Sequence, residues 1–190
     1  VFDALPASYN AVMRLALKIH PDTTSAAVTG IEVDVTRPRP GCMALVYAVT
    51  GKIDDLRIAS RTEPARADEL WKHTCFETFI RAAGGADYYE FNFSPSTQWA
   101  TYRFGGYREA MHIADEVQAL PIVIGSQATR YTLSAEVDLD LTKLSRHKKW
   151  QLGLSAVIEE LDGHKSYWAL AHPPGKPDFH HSDCFAYEFS

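Results

Sequence analysis

The stretch Tyr88-Tyr89-Glu90-Phe91-Asn92-Phe93-Ser94 decides the fold. In an extended chain successive side chains point to opposite faces, so Tyr89, Phe91 and Phe93 form one apolar row while Tyr88, Glu90, Asn92 and Ser94 form the other. A helix would scatter the same residues around its axis. Strand-like segments flank this one: Cys75 to Arg81 before it and Trp99 to Phe104 after it, with Gly84-Gly85-Ala86-Asp87 and Ser94-Pro95-Ser96-Thr97 between them. Loops this short join antiparallel neighbours, so the three segments read as a meander.

The same period-two signal extends outward in both directions. Val28 to Thr36, Met43 to Val49 and Ile53 to Ala59 read as strands, the last two joined by a tight hairpin through Thr50, Gly51 and Lys52. Further on, Pro121 to Gln127, Thr129 to Val137, Leu152 to Leu161, Lys165 to Ala171 and Phe185 to Phe189 follow, with an Asp162-Gly163-His164 turn in the second-last pair. Short helices are expected over Pro64 to Trp71 and Leu141 to Lys149, and a long, partly helical excursion over Gly105 to Ala119. Strands spaced this closely, with almost no helix between them, predict an all-β antiparallel sandwich of about ten strands, immunoglobulin-like or jelly-roll-like. Residues 1–190 form one expected domain.

Composition narrows the function classes. Hydrophobic residues make up 46% and charged residues 23%, an ordinary globular balance. A chain of this size buries roughly 70% of its unfolded surface, so no disulfide, metal or cofactor is needed for folding. The net charge of -5 and the lack of a long basic cluster argue against nucleic acid; Arg146, His147, Lys148 and Lys149 read as a solvated turn. No apolar run is long enough to span a membrane. Cys42, Cys75 and Cys184 are odd in number and dispersed, which predicts buried free thiols. With no basic start and apolar run in Val1 to Tyr9, the expected location is the cytoplasm; because the chain begins at Val, a leader removed ahead of it stays open.

Two groups of residues could carry chemistry. On the meander, Glu90 and Asn92 share a face, as do Cys75, Glu77, Phe79 and Arg81 on one side and Trp99, Thr101 and Arg103 on the other. If the register aligns those sets, carboxylates, an amide, an arginine and a tryptophan meet in one patch, with Trp71 at the strand entrance. Carboxylates and Arg hydrogen-bond vicinal hydroxyls, and a flat indole stacks on the apolar face of a sugar ring. The alternative is a surface ion-pair network without function. In the tail, His172, Asp178, His180 and His181 are a candidate metal set, stiffened by Pro173, Pro174 and Pro177, although their spacing fits no fixed metal motif. Glu77, Glu90 and Glu159 are also a formal source of a hydrolytic acid pair. No nucleophile elbow, P-loop or dinucleotide fingerprint is present.

Longer motifs carry a resemblance. Leu70-Trp71-Lys72-His73-Thr74-Cys75-Phe76-Glu77, Tyr89-Glu90-Phe91-Asn92-Phe93-Ser94-Pro95-Ser96, Trp99-Ala100 with Tyr102, Tyr107-Arg108, and Ser166-Tyr167-Trp168-Ala169-Leu170-Ala171-His172-Pro173 with Pro177-Asp178-Phe179-His180-His181 resemble the bacterial DOMON-like proteins. These are relatives of DOMON domains and of family 9 carbohydrate-binding modules. The resemblance implies a sandwich fold and a non-catalytic domain for a small saccharide or similar polyol. In the carbohydrate-binding relatives a sugar is clamped between two tryptophans. Trp71 and Glu77 match the first aromatic and the acid, Arg103 the arginine, and Trp168 or Phe179 the second aromatic. The expected ligand-binding set is therefore Trp71, Glu77, Glu90, Asn92, Trp99, Arg103, Trp168 and His172. Two alternatives stand beside it: a metal-dependent enzyme or metalloprotein built on the tail, and a haem site of the kind other DOMON relatives use, with Met43, Met111 and His172 as candidate axial ligands. The oligomeric state is left open.

Overall fold

The computed structural model describes residues 11–117, 121–144 and 149–189. Twelve strands run in chain order: β1 (Met13–Ile19), β2 (Val28–Thr36), β3 (Cys42–Gly51), β4 (Cys75–Ala82), β5 (Tyr88–Phe93), β6 (Trp99–Phe104), β7 (His112–Ile113), β8 (Ile122–Gln127), β9 (Arg130–Asp138), β10 (Trp150–Glu159), β11 (Lys165–Ala169) and β12 (Tyr187–Phe189). All strand pairs are antiparallel. One layer has the order β1-β2-β3-β9-β8, and the other β7-β6-β5-β4-β10-β11, with β12 also pairing β10. Strand β1 joins them: Met13 to Leu17 pair with β2, whereas Lys18 and Ile19 pair with β11. The all-β sandwich expected from the alternation is the observed architecture.

Facing rows of apolar side chains fill the space between the layers. Val33, Leu45, Tyr47 and Leu133 come from the first sheet, and Phe76, Ile80, Phe91 and Leu154 from the second. Tyr47 and Tyr131 meet Phe76 across the gap at ring-centroid distances of 5.2 and 6.2 Å. Fully burying one such side chain contributes about 1.5–3 kcal/mol, so this core is the main stabilising term.

The second sheet is covered on its outer face as well. Phe79, Tyr88, Phe104 and Val157 pack there against Phe179 and Phe185 from the segment that follows β11. Every residue of β5 is consequently buried, on both faces. The row Tyr88, Glu90, Asn92 thus looks into an enclosed layer rather than into solvent. Cys42, Cys75 and Cys184 are buried free thiols.

Three expected elements differ. Ile53–Ala59 is not a strand and forms no hairpin with β3: both edges of β3 are already occupied by β2 and β9, and Lys52 N–H donates to Ala27 O instead (2.9 Å). A 3-10 turn, Ile53–Asp55, follows. Pro64 to Trp71 is not a helix apart from a 3-10 turn at Leu70–Lys72. Its backbone bonds the edge of β6, Ala67 N–H to Trp99 O at 2.9 Å and Trp99 N–H to Ala65 O at 3.0 Å, which outcompetes local helical bonds. The expected helix from Leu141 begins as the end of a 3-10 turn, Leu139–Leu141, and Arg146, His147 and Lys148 lie outside the described residues, as does Ala119. β1 and the short β7 were not expected as strands. Among the described residues, no helix is long and apolar enough to cross a membrane.

Candidate functional site

Register sets what shares the outer face of the second sheet. Glu77 on β4 lies opposite Asn92 on β5 and opposite Ser155 on β10; Glu90 lies opposite Phe79 and Tyr102. Beside them, Cys75 pairs with Val157, and Val157 with Tyr167. These rows form the floor of a cavity of about 690 Å³, reached by Glu77, Glu90, Tyr102, Val157 and Tyr167.

The acids of the floor are deeply placed, Glu77 being 3% and Glu90 5% exposed, with Asn92 fully buried. Asn92 Nδ2 donates to Glu90 Oε1 at 2.7 Å, and its Oδ1 faces the Cys75 thiol at 3.7 Å. Glu77 Oε1 is buried with no hydrogen-bond partner, and so is the Ser155 hydroxyl opposite it. Burial, reinforced by the charge of Glu90, pushes the Glu77 carboxyl well above the usual carboxylate range. Burial also raises Glu90 to about 7, while the Asn92 hydrogen bond and Arg108 hold it back.

The walls come from three loops. Pro177, Phe179 and His180 form one side, Arg108 and Met111 a second, and the Leu70–Lys72 turn with Trp71 a third. Asp178 ties the first two together: it accepts from Arg108 Nη2 (2.8 Å), from the Tyr107 hydroxyl and from the backbone N–H of His180 (3.2 Å). These donors hold its carboxyl below the ordinary range against the opposing effect of burial. Burial, with Arg108 adding to it, pulls His180 down to about 4, so the ring is neutral near pH 7. Tyr88 accepts the backbone N–H of Arg108 (3.2 Å), and its hydroxyl lies 2.8 Å from His180 Nδ1 in a hydrogen bond. On the other side of the ring, His180 Nε2 faces Glu90 Oε2 at 3.7 Å.

Of the residues expected from sequence, Trp71, Glu77 and Glu90 line this cavity, with Asn92 directly beneath Glu90. Trp71 is 49% exposed at the rim, with the Lys72 ammonium 5.7 Å from its ring. Three expected residues sit on the opposite face. Trp99 and Arg103 pair with Phe93 and Tyr89, whose side chains belong to the inter-sheet core; Trp168 pairs with Ala156 and donates its indole N–H to Ser166. Arg108 lines the cavity and Arg103 does not, and of the two candidates for the second aromatic, Trp168 and Phe179, it is Phe179 that lines it. His172 is elsewhere, its Nε2 bonded to Lys18 O (2.8 Å) and its ring 4.9 Å from that of His20. Tyr102, Arg108 and Tyr167 were not expected in the site. Tyr102 could have been found from the turn after β5, which sets even-numbered residues of β5 against even-numbered residues of β6.

The tail residues do not converge on a metal. Asp178 is engaged as described, His180 bonds Tyr88, His181 Nδ1 accepts the N–H of Asp183 (3.3 Å), and His172 lies at β1. Among the described residues no group of three His, Cys, Asp or Glu side chains could hold a metal ion. An axial haem pair does not assemble either: Met43 is in the inter-sheet core, Met111 on the cavity rim and His172 against Lys18. Glu159 is occupied by His73 (2.7 Å) and Arg57 (3.2 Å), so it does not join Glu77 and Glu90.

No protein-family model and no curated protein sequence matches the chain. Solved structures do resemble it. One is a candidate carbohydrate-binding protein from Bacteroides uniformis, with a TM-score of 0.70 at 14% identity, covering 94% of this chain and 87% of that one. Family 9 carbohydrate-binding modules from Caldicellulosiruptor kristjanssonii, one in complex with glucose and one with cellotriose, align at a TM-score of 0.54 and 10% identity. Coverage is 90% of this chain and 81% of the glucose complex, and 88% and 76% for the cellotriose complex. The chain therefore shares the fold of these structures.

Proposed function

We propose that the protein is a non-catalytic binding domain for a small saccharide or similar polyol, held in the cavity over β4, β5 and β6. One observation carries this reading: an aromatic-rimmed cavity of about 690 Å³ whose floor presents two buried carboxyls, Glu77 and Glu90, beneath Trp71, Tyr102, Tyr167 and Phe179. Such rings offer flat apolar faces, and carboxyls at the base of an apolar cleft satisfy the in-plane hydroxyls of a sugar. The likeness to structures containing glucose and cellotriose supports it.

Affinity in the micromolar to millimolar range is expected, about 4–8 kcal/mol. Calorimetric titration with glucose and cellotriose tests it, alongside Trp71→Ala and Glu77→Ala. Loss of about 1–2 kcal/mol for the tryptophan truncation is expected from removal of a stacking face. Unchanged affinity in both variants places the sugar elsewhere and refutes the site. Cellotriose recovered intact after prolonged incubation agrees with binding alone, whereas release of shorter sugars overturns the non-catalytic part.

A further inference from the structure

The charges around the cavity are unequally provided for. Lys72 pairs with Glu69 (2.6 Å), Arg66 with Asp68 (3.5 Å) and Arg108 with Asp178 (2.8 Å), while Lys165 donates to the backbone carbonyl of Lys72. Each of these cations has an acceptor at the rim. Down on the floor, Glu77 forms no ion pair among the described residues, Glu90 meets the neutral ring of His180 at 3.7 Å, and Arg108, already paired with Asp178, acts on both carboxyls only through its field. Glu77 Oε1 and the Ser155 hydroxyl, on paired residues of the same face, are both buried without a partner.

Two carboxyls side by side in a low-dielectric floor, without a cation of their own, are costly to ionise, and in the neutral form they are weaker acceptors for a hydroxyl than carboxylates are. A cation entering the cavity changes that: it favours both ionised forms and turns them into charge-assisted acceptors, about twice as strong as neutral ones. We infer that the floor formed by Glu77 and Glu90 is a seat for a ligand's ammonium group, so that the saccharide bound here is an amino sugar. This rests on the saccharide reading of the cavity and narrows it.

The groups that face the pair leave a clean titration window. Burial raises the Cys75 thiol and the Tyr102 phenol, and lifts Tyr88 to about 12. Asp178 is lowered by its donors, Arg108 stays charged, and His180 is down at about 4. Between mildly acid and mildly alkaline pH Glu90, raised to about 7, is thus the group of this cluster that changes charge, beside a Glu77 carboxyl that burial raises further.

The experiment is calorimetric titration of the full chain with glucose, glucosamine and N-acetylglucosamine, the last keeping the nitrogen but not its charge. Glucosamine is expected to bind at least about tenfold more tightly than the other two near neutral pH. In the Glu77→Gln, Glu90→Gln double variant the three should fall within about threefold of one another. The wild type supplies a second measurement independent of that variant's folding: the glucosamine-to-glucose ratio should shrink several-fold as the pH is taken from about 7.5 to about 5, as Glu90 protonates. Equal affinities for glucosamine and glucose overturn the inference and leave a neutral-sugar site standing. A preference that survives in the double variant, or a ratio constant with pH, also overturns it. If none of the three binds, the saccharide reading falls and takes the inference with it.

Discussion

Tyr47 reaches from β3 across the core and donates its hydroxyl proton to the backbone carbonyl of Glu77 on β4, at 2.7 Å, while Thr78 Oγ1 lies 2.9 Å from the Tyr47 hydroxyl oxygen. A fully buried side chain of one sheet thereby fixes the backbone from which the cavity's deepest acid projects on the other side. Tyr47→Phe is expected to lower stability by about 1–2 kcal/mol, because the ring stays and a buried acceptor loses its donor. Urea unfolding measures it. Ligand affinity should also weaken, since Glu77 loses its brace, and an unchanged midpoint would show the bond contributes nothing.

Glu90 and His180 should oppose each other in the pH dependence of stability. Glu90 is raised from 4.5 to about 7 in the folded protein, so its contribution is present below the unfolded value and is lost as pH rises through about 7. His180 is lowered from 6.5 to about 4, so its contribution is present above the unfolded value and is lost as pH falls through about 4. Over the shared range the two slopes oppose each other. Relative to the wild type, Glu90→Gln should therefore gain stability as pH rises between about 4.5 and 7, and His180→Gln should lose it between about 4 and 6.5, each by a few kcal/mol at most. Denaturation midpoints across pH, read as differences from the wild type, check this. Parallel curves for the two variants would contradict it.

Asp178 joins two walls of the cavity through three donors. Asp178→Ala should cost about 1–3 kcal/mol through the unpaired Arg108 and Tyr107, and should weaken ligand binding more than the stability loss alone explains. Comparing calorimetric affinity with thermal midpoint separates the two effects. Affinity retained at full strength would mean the walls hold their places without the strap.

Gly51 has φ of 151°, and a Cβ there would stand 2.1 Å from Ala27 O. That carbonyl also accepts the N–H of Lys52, so it has little room to move. Gly51→Ala is expected to destabilise by about 2–3 kcal/mol or more, read by thermal unfolding, with no direct effect on the cavity. A variant as stable as the wild type would show that this turn relaxes.

The meander was readable because alternation in Tyr88 to Ser94 is a local property of extended chain. What lies over each face is not local. Glu90 and Asn92 look like a solvent row in sequence, yet both are buried, and Phe179 and His180, some ninety residues from Glu90, wall the cavity over it. Trp99 and Arg103 were put on the wrong side because faces on separate strands are related only through register. Here the Ser94 N–H to Gln98 O bond (2.9 Å) closes the turn that sets it. The alternation of Met13, Leu15, Leu17 and Ile19 is present in β1, but its pairing is divided between two distant partners, which no neighbouring turn announces. Trp71 and Glu77 were recognisable from their motif; Tyr107-Arg108 belongs to the resembling motifs as well, but the place of Arg108 at the cavity depends on a loop with a left-handed backbone (φ 54°), which pattern reading does not show.

The division of β1 between the sheets has a mechanical corollary. A sandwich held only by its interior can shear, one layer sliding on the other; here a covalent rail, with Leu17 on β2 and Lys18 on β11, runs from layer to layer. Amide protons of β2 and of β11 should consequently exchange at one shared rate, the molecule opening along its whole girth or not at all.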